Sequence, residues 1–390
     1  MNENNKYYAV SNNLLTNKEG NEIVLAASGF DYTNFEIASN ITTIKEAAFS
    51  GVEKLYEIVI PENVKYVESR AFENCKNLKS VTLSSSECEI GSYAFNNCSN
   101  LATVNNIELV KDFNDYVFAN TSLVSLDLNN VNIKEGAFSG INTLTSVSVK
   151  ANELESYAFN NCSNLTSLTL DCAEIGAYAF AGCKAVKDLY IEDSEHPLPF
   201  DNLNFFDGYS GAEASIETLY LGRDLYSSSQ YEEKLSLPKS LKSLTISDGV
   251  TRLDNYRFNN RNLESIIVTE GNKYYDSRKE CNAIIETSSN KLLFGCKNST
   301  IPYGVATIGE EAFESSYGLK NIGIPGSVIT IEDYAFAECL DLENIVISNS
   351  VTKLGEAVFV ECESLKLVTV SKRFLWELST TVMHSKAYIL

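Results

Sequence analysis

Histidine is nearly missing from this chain of 390 residues, which holds only His196 and His384, and tryptophan occurs once, at Trp376. So little imidazole excludes most histidine-based catalysis and most transition-metal sites before any motif is sought. Basic side chains are short as well, 31 against 52 acidic, for a formal net charge of −21. A duplex-binding protein needs a basic stripe to displace counterions, and clusters such as Lys372-Arg373 are too short to supply one. Nucleic acid and anionic lipid are therefore not expected partners. No apolar run approaches the roughly 18 residues that span a bilayer, so no membrane insertion is expected. The opening residues, Met1 to Asn13, show neither the basic cluster nor the hydrophobic stretch of a signal peptide. A calcium loop of the D-x-D-x-D-G kind is absent, as are G-x-S-x-G, the phosphate-cradling P-loop and H-E-x-x-H. Carboxylate pairs are inevitable among 52 acidic residues and carry no weight for a glycosidase. The expectation is a protein without catalysis, cofactor or metal.

The apolar fraction is 44 %, ordinary for a folded chain. Its distribution is not ordinary. A small residue followed by phenylalanine recurs from Ala48-Phe49 through Ala71-Phe72, Ala94-Phe95, Val117-Phe118, Ala137-Phe138, Ala158-Phe159 and Ala179-Phe180. It returns at Ala312-Phe313, Ala335-Phe336 and Val358-Phe359, with a degenerate copy at Arg257-Phe258. Within each run the phenylalanines stand 20 to 23 residues apart, a period that identifies a solenoid.

Each unit carries three further aliphatics, such as Leu55, Ile58 and Ile60 or Leu78, Val81 and Leu83. The last two alternate with a polar residue, the pattern of one short strand facing a core. Many units continue Ile-Pro-x-x-Val-x-x-Ile, as from Ile324-Pro325 to Val328 and Ile331. Proline removes a donor and ends the strand, and the two following aliphatics line the returning side. The Ala-Phe segment is expected to form one helical or 3-10 turn. In units spaced 21 residues apart, two residues are missing from the turn rather than from the strand. Coils stacked about 4.8 Å apart would bury a continuous core and pair their strands in parallel. Trp376, within Phe374 to Leu378, is read as core of a terminal cap.

The unit strand–Ile-Pro-x-x-Val-x-x-Ile-x-x-x-Ala-Phe-x-x-Cys-x-x-Leu resembles the BspA-like class of leucine-rich repeat proteins. A second element strengthens the likeness: Tyr274-Tyr275-Asp276-Ser277-Arg278, Cys281 to Ile285 and Lys291 to Cys296 resemble the hairpin-bearing coil of surface proteins from Bacteroidetes. A weaker copy opens the chain at Tyr7-Tyr8, Leu14-Leu15 and Ile23-Val24-Leu25. The expected fold is an α/β repeat solenoid, a right-handed superhelix with one short parallel strand and one short helical turn per coil. It forms a single domain over residues 1–390, with a hairpin coil at 1–50, an insertion at 192–215, a second hairpin coil at 271–300 and a cap at 371–390. The resemblance implies a cell-surface or secreted protein that adheres to an extracellular protein or glycan of host or microbe; a monomer is expected. The alternative is a scaffold or spacer without a dedicated ligand.

Of 10 cysteines, Cys75, Cys98, Cys162, Cys183, Cys339 and Cys362 stand three residues after a repeat phenylalanine. Equivalent positions in a stacked ladder have parallel Cβ vectors, an awkward start for a disulfide, and buried free cysteine suits a core position. Cys88 and Cys172 fall near an inward valine position and are read the same way. Cys281 and Cys296 flank the hairpin and remain disulfide candidates.

The outward strand positions are mostly hydroxyls, for example Ser80 and Thr82 or Ser167 and Thr169. Two neighbouring strands instead present Tyr190 and Tyr220, with Asp188 and Thr218 beside them. Between them lies the longest departure from the repeat, holding His196, Pro197, Pro199, Phe200, Phe205, Phe206 and Tyr209. Tyr190, Tyr220, Asp188, Phe205, Phe206 and Tyr209 are the candidate contact residues, because rigid aromatics dominate binding energy. The plainer reading is that the insertion's phenylalanines pack it back onto the core.

Overall fold

A computed structural model describes residues 5–11, 13–194, 196–199, 215–226, 235–236, 238, 240–253, 256–257, 262–370 and 388–389. These group into two compact units, one reaching to Lys187 and the other beginning at Asp188. Both are built from β coils.

In the first unit each 23-residue coil contributes two strands. Glu57–Ile60 pairs in parallel with Ser80–Leu83, which pairs with Thr103–Asn105. After the proline turn, the two returning aliphatics sit on a second ladder, where Thr43–Ile44, Tyr66–Val67 and Glu89–Ile90 run parallel. Ile58, Ile60, Val64 and Val67 all point into the core and are buried. The shorter coils differ in one informative way. Ser125–Ile133, Ser146–Leu154 and Ser167–Ile175 are continuous strands of nine residues. Deleting the turn residues lets the outgoing and returning segments run together, with a bulge between Asn129 and Val131 where Asn130 takes φ 55°.

The Ala-Phe segments correct the expectation of a helical turn. Their amides alternate between two kinds of bond. Ala48, Ser50 and Val52 donate back three residues within the turn, whereas Ala47, Phe49 and Gly51 donate to Ser69, Ala71 and Glu73 of the next coil. The alternation needs a left-handed residue two before and two after the phenylalanine. Ala47 and Gly51 (φ 55° and 69°), Arg70 and Asn74 (59° and 61°) and Tyr93 and Asn97 (61° and 59°) supply it. Left-handed residues every fourth position interrupt any helix, so among the described residues 3-10 structure is limited to Ile107–Leu109, Arg278–Glu280 and Asn262. The helical share of the fold is minor.

The phenylalanines form a buried column. In the first unit, neighbouring rings from Phe49 to Phe180 lie 5.0 to 6.0 Å apart and nearly parallel. Phe313, Phe336 and Phe359 repeat the column in the second. Tyr32 closes the N-terminal end, its ring edge-on to Phe49 at 5.8 Å. Beyond it the antiparallel strands Tyr8–Ser11, Leu14–Asn17 and Glu22–Ala26 join the returning ladder at Thr43–Ile44.

The cysteine column runs beside the phenylalanines, and all ten thiols are free. Each repeat thiol donates to the carbonyl of the phenylalanine one coil back: Cys75 to Phe49 (3.0 Å), Cys98 to Phe72 (3.1 Å), Cys162 to Phe138 (3.3 Å) and Cys339 to Phe313 (3.1 Å). The neighbouring Cys75 thiol and burial push Cys98 well up, and Cys162 and Cys362 act likewise on Cys183 and Cys339. Cys172 is buried as expected, but Cys88 is only half-buried.

The disulfide suggested for Cys281 and Cys296 is not formed. Cys281 Sγ lies 3.8 Å from the Ala283 carbonyl and Cys296 Sγ 3.6 Å from that of Asn282. The strands of this coil, Tyr275–Asp276, Ala283–Glu286 and Lys291–Gly295, pair antiparallel, and Lys291–Leu292 then joins the parallel ladder at Thr307–Ile308. Arg278 pins the coil by donating from Nε to Asp276 at 2.7 Å and from Nη1 to Asn290 at 3.0 Å.

Candidate functional site

The second unit's outgoing strands Asp188–Ile191, Thr218–Leu221, Ser243–Ile246 and Ser265–Val268 pair in that order, all parallel. Leu189, Ile191, Leu219 and Leu221 point inward and are buried. Strand alternation therefore forces the residues between them outward. Register aligns these into two rows: Asp188, Thr218, Ser243 and Ser265, and beside them Tyr190, Tyr220, Thr245 and Ile267. The structure thus brings three of the six sequence candidates together. Tyr190 and Tyr220 are direct partners with ring centroids 6.3 Å apart, and Asp188 is the partner of Thr218. Tyr190 is 37 % and Ile267 49 % exposed, so the second row presents apolar surface to solvent. Phe205, Phe206 and Tyr209 lie outside the described residues, as do Phe200, Phe258 and Trp376.

The chain leaving these strands adds what the sequence reading missed. Asp193, Asp224 and Asp248 follow the last inward aliphatic of three successive coils. Together with Ser194, Pro197, Gly249 and Thr251 they line an open depression of about 650 Å³. None of these lining residues is basic. A second depression of about 620 Å³, on the returning side, contrasts with it: Glu310, Glu332 and Asp333 share that one with Lys353, and Glu332 is paired to Lys291 at 2.7 Å.

Tyr220 connects the tyrosine row to the aspartate depression. Its hydroxyl donates to Asp193 Oδ2 at 3.2 Å, and buried Ser247 donates to the same carboxylate. Burial pushes the Tyr220 phenol up, so it remains a donor at neutral pH. Asp224 is held from the other side, accepting from the Thr251 amide (2.7 Å), the Thr251 hydroxyl (2.6 Å) and the Arg252 amide (3.0 Å). Gly222 and Gly249 allow the coils to close at this point, since a Cβ on Gly249 would stand 2.1 Å from the Gly222 carbonyl oxygen. Asp248 is exposed at the rim. The signal for this cluster was present as an aspartate two or three residues after Ile191, Leu221 and Ile246. It becomes visible only once the coils are aligned.

A second aromatic row runs along the first unit's turns, two residues before each phenylalanine. Arg70 lies 5.3 Å over the Tyr93 ring, Tyr93 stacks on Tyr116 at 5.1 Å, and Tyr157 stacks on Tyr178 at 5.5 Å. Burial and the neighbouring Glu135 push Tyr116 up to about 12. These rings cover one another's faces and offer mainly edges, so the row is a poorer platform than the Tyr190 face. Among the described residues no group of three or more His, Cys, Asp or Glu side chains could hold a metal. None of the described helices is long and apolar enough to cross a membrane.

The fold is similar to a leucine-rich repeat protein from Bacteroides ovatus, at 19 % identity and TM-score 0.43, over 98 % of this chain and 97 % of that one. A leucine-rich cell surface protein from Faecalibacterium prausnitzii aligns at 18 % identity and TM-score 0.29, over 99 % and 93 % of the two chains. A leucine-rich repeat protein of T. pallidum aligns at 20 % identity and TM-score 0.32, over 46 % of this chain and 86 % of that one. No curated protein sequence matches the chain. The model of the BspA-type leucine-rich repeat region matches residues 27–145, 111–231, 229–291 and 283–381 in 6 copies. With its repeat matched almost from end to end, the chain belongs to the BspA-type leucine-rich repeat family.

Proposed function

We propose that this protein is a non-catalytic binding module acting outside the cell, and that the Tyr190–Tyr220 face is its contact surface. The observation that carries the reading is the register pairing of Tyr190 with Tyr220 on an outward sheet row that continues through Thr245 to exposed Ile267. A solvated sheet gains nothing from exposing Tyr190 and Ile267 beside half-buried Tyr220, whereas a recognition face gains rigid apolar area at low entropic cost. The parallel ladder fixes their backbones, so little ordering is needed on binding. The family resemblance supports a location outside the cell and adhesion to a host or microbial protein or glycan.

The test is a binding screen of the whole chain against matrix proteins, mucin and a glycan array, repeated with Tyr190→Ser and Tyr220→Ser combined. Loss of the strongest signal by about tenfold or more, with an unchanged thermal midpoint, is the expected result. Undiminished binding by the double variant would remove the tyrosine face from the account.

A further inference from the structure

The tyrosine face has a chemical polarity that narrows its partner. We infer that it docks an extended cationic peptide segment, an arginine or lysine side chain entering the aspartate depression while neighbouring residues lie along the Tyr190–Ile267 row. This rests on the reading of that face given above.

Three observations converge. The row Tyr190, Tyr220, Thr245 and Ile267 is the outward face of four parallel strands, wide enough to receive a short extended segment. At the carboxyl ends of those strands lies the depression of about 650 Å³, lined by Asp193, Asp224 and Asp248 without a basic residue among its described walls. Finally, the Tyr220 hydroxyl bonded to Asp193 makes the aromatic row and the depression one continuous surface. Charge complementarity then selects the occupant. An anionic segment would be repelled by the three carboxylates, whereas a cation is attracted both by them and by the tyrosine π faces. The chain's net charge of −21 adds long-range steering of the same sign. Asp193 and Asp224 are oriented by donors from the following coils, Tyr220 and Ser247 on the first and Thr251 and Arg252 on the second, so the walls are preorganised. Exposed Asp248 is the carboxylate best placed to move onto a guest.

The probe is a fluorescein-labelled peptide of alternating glycine and arginine, compared with its counterpart in which citrulline replaces arginine. Citrulline keeps the shape and removes the charge. Fluorescence anisotropy on the whole chain, at low and at physiological salt, should show saturable binding of the arginine peptide and little of the citrulline one. Asp248→Asn and Tyr190→Ser should each weaken it by about fivefold to tenfold. Glu53→Gln, which removes the same charge from the other unit, should leave it unchanged. Equal weakening by Glu53→Gln and Asp248→Asn would mean diffuse charge attraction and would overturn the proposal, as would no binding at all. The tyrosine face could still bind an uncharged partner in the screen above, so the two readings fail separately.

Discussion

At the scale of single residues, the column positions show how narrowly each side chain is specified. The thiols of Cys75, Cys98, Cys339 and Cys362 reach a phenylalanine carbonyl one coil back at 3.0 to 3.1 Å. Ser316 occupies the same position in its coil, is fully buried, and its hydroxyl has no partner. One coil back from it stands Gly295 of the hairpin coil instead of a phenylalanine. A buried unmet hydroxyl costs about 1–3 kcal/mol, so Ser316→Ala should raise unfolding stability by about 1 kcal/mol, and Ser316→Cys should do so by replacing the hydroxyl with a weaker, more apolar donor. Urea denaturation measures it, and a loss of stability in both variants would contradict the assignment. The free state of these cysteines was readable from the repeat spacing, because parallel Cβ vectors disfavour a disulfide. That of Cys281 and Cys296 was not. Their separation depends on how an antiparallel hairpin folds back, which spacing alone leaves open.

Among elements, the stack is as sensitive to added atoms as to missing ones. Gly295 belongs to the hairpin coil and donates its amide to Ala312, the bond that a repeat phenylalanine makes in regular coils. A Cβ there would stand 2.1 Å from the Phe313 ring. Gly295→Ala should therefore cost about 1–3 kcal/mol through overpacking and loosen the junction between hairpin and column. Hydrogen exchange confined to the second unit, together with a lowered urea midpoint, checks it; a neutral substitution would show that the ring can step aside. The outgoing strand, the proline turn and the inward aliphatics were legible in the sequence, since period two and proline each have a single local cause. The Ala-Phe segment was misread. A short apolar stretch with alanine favours a helical turn locally, but inter-coil amide bonds from Ala47, Phe49 and Gly51 outweigh that preference. Left-handed tyrosine, arginine and glutamate residues are the cost of those bonds, and no propensity scale points to them.

For the whole molecule, the buried thiols and the paired lysines set a limit to stability at high pH. Burial pushes Cys88 up to about 11, and the buried repeat thiols Cys98, Cys183 and Cys339 are pushed up by their neighbouring thiols and by burial. Above the ordinary thiol value of about 8.5 the unfolded chain has released these protons while the folded one retains them. Stability from this source is complete below pH 8.5 and falls as pH rises toward the folded values. Lys45 and Lys134, raised by Glu68 and Glu155, add a further loss at still higher pH. Thermal midpoints should be level from about pH 7 to 8.5 and then decline. A thiol reagent at pH 8 should reach Cys88 first, and all 10 cysteines only in denaturant. Midpoints rising through pH 9 would contradict the burial. The amino-acid sequence by itself determined the coil, its period, its inward residues and the family, because each depends on contacts repeated at a constant interval. Only the tertiary structure decided that Asp193, Asp224 and Asp248 share one depression and that Tyr220 ties them to Tyr190. Those residues lie in coils of unequal length, and stacking rather than chain distance makes them neighbours.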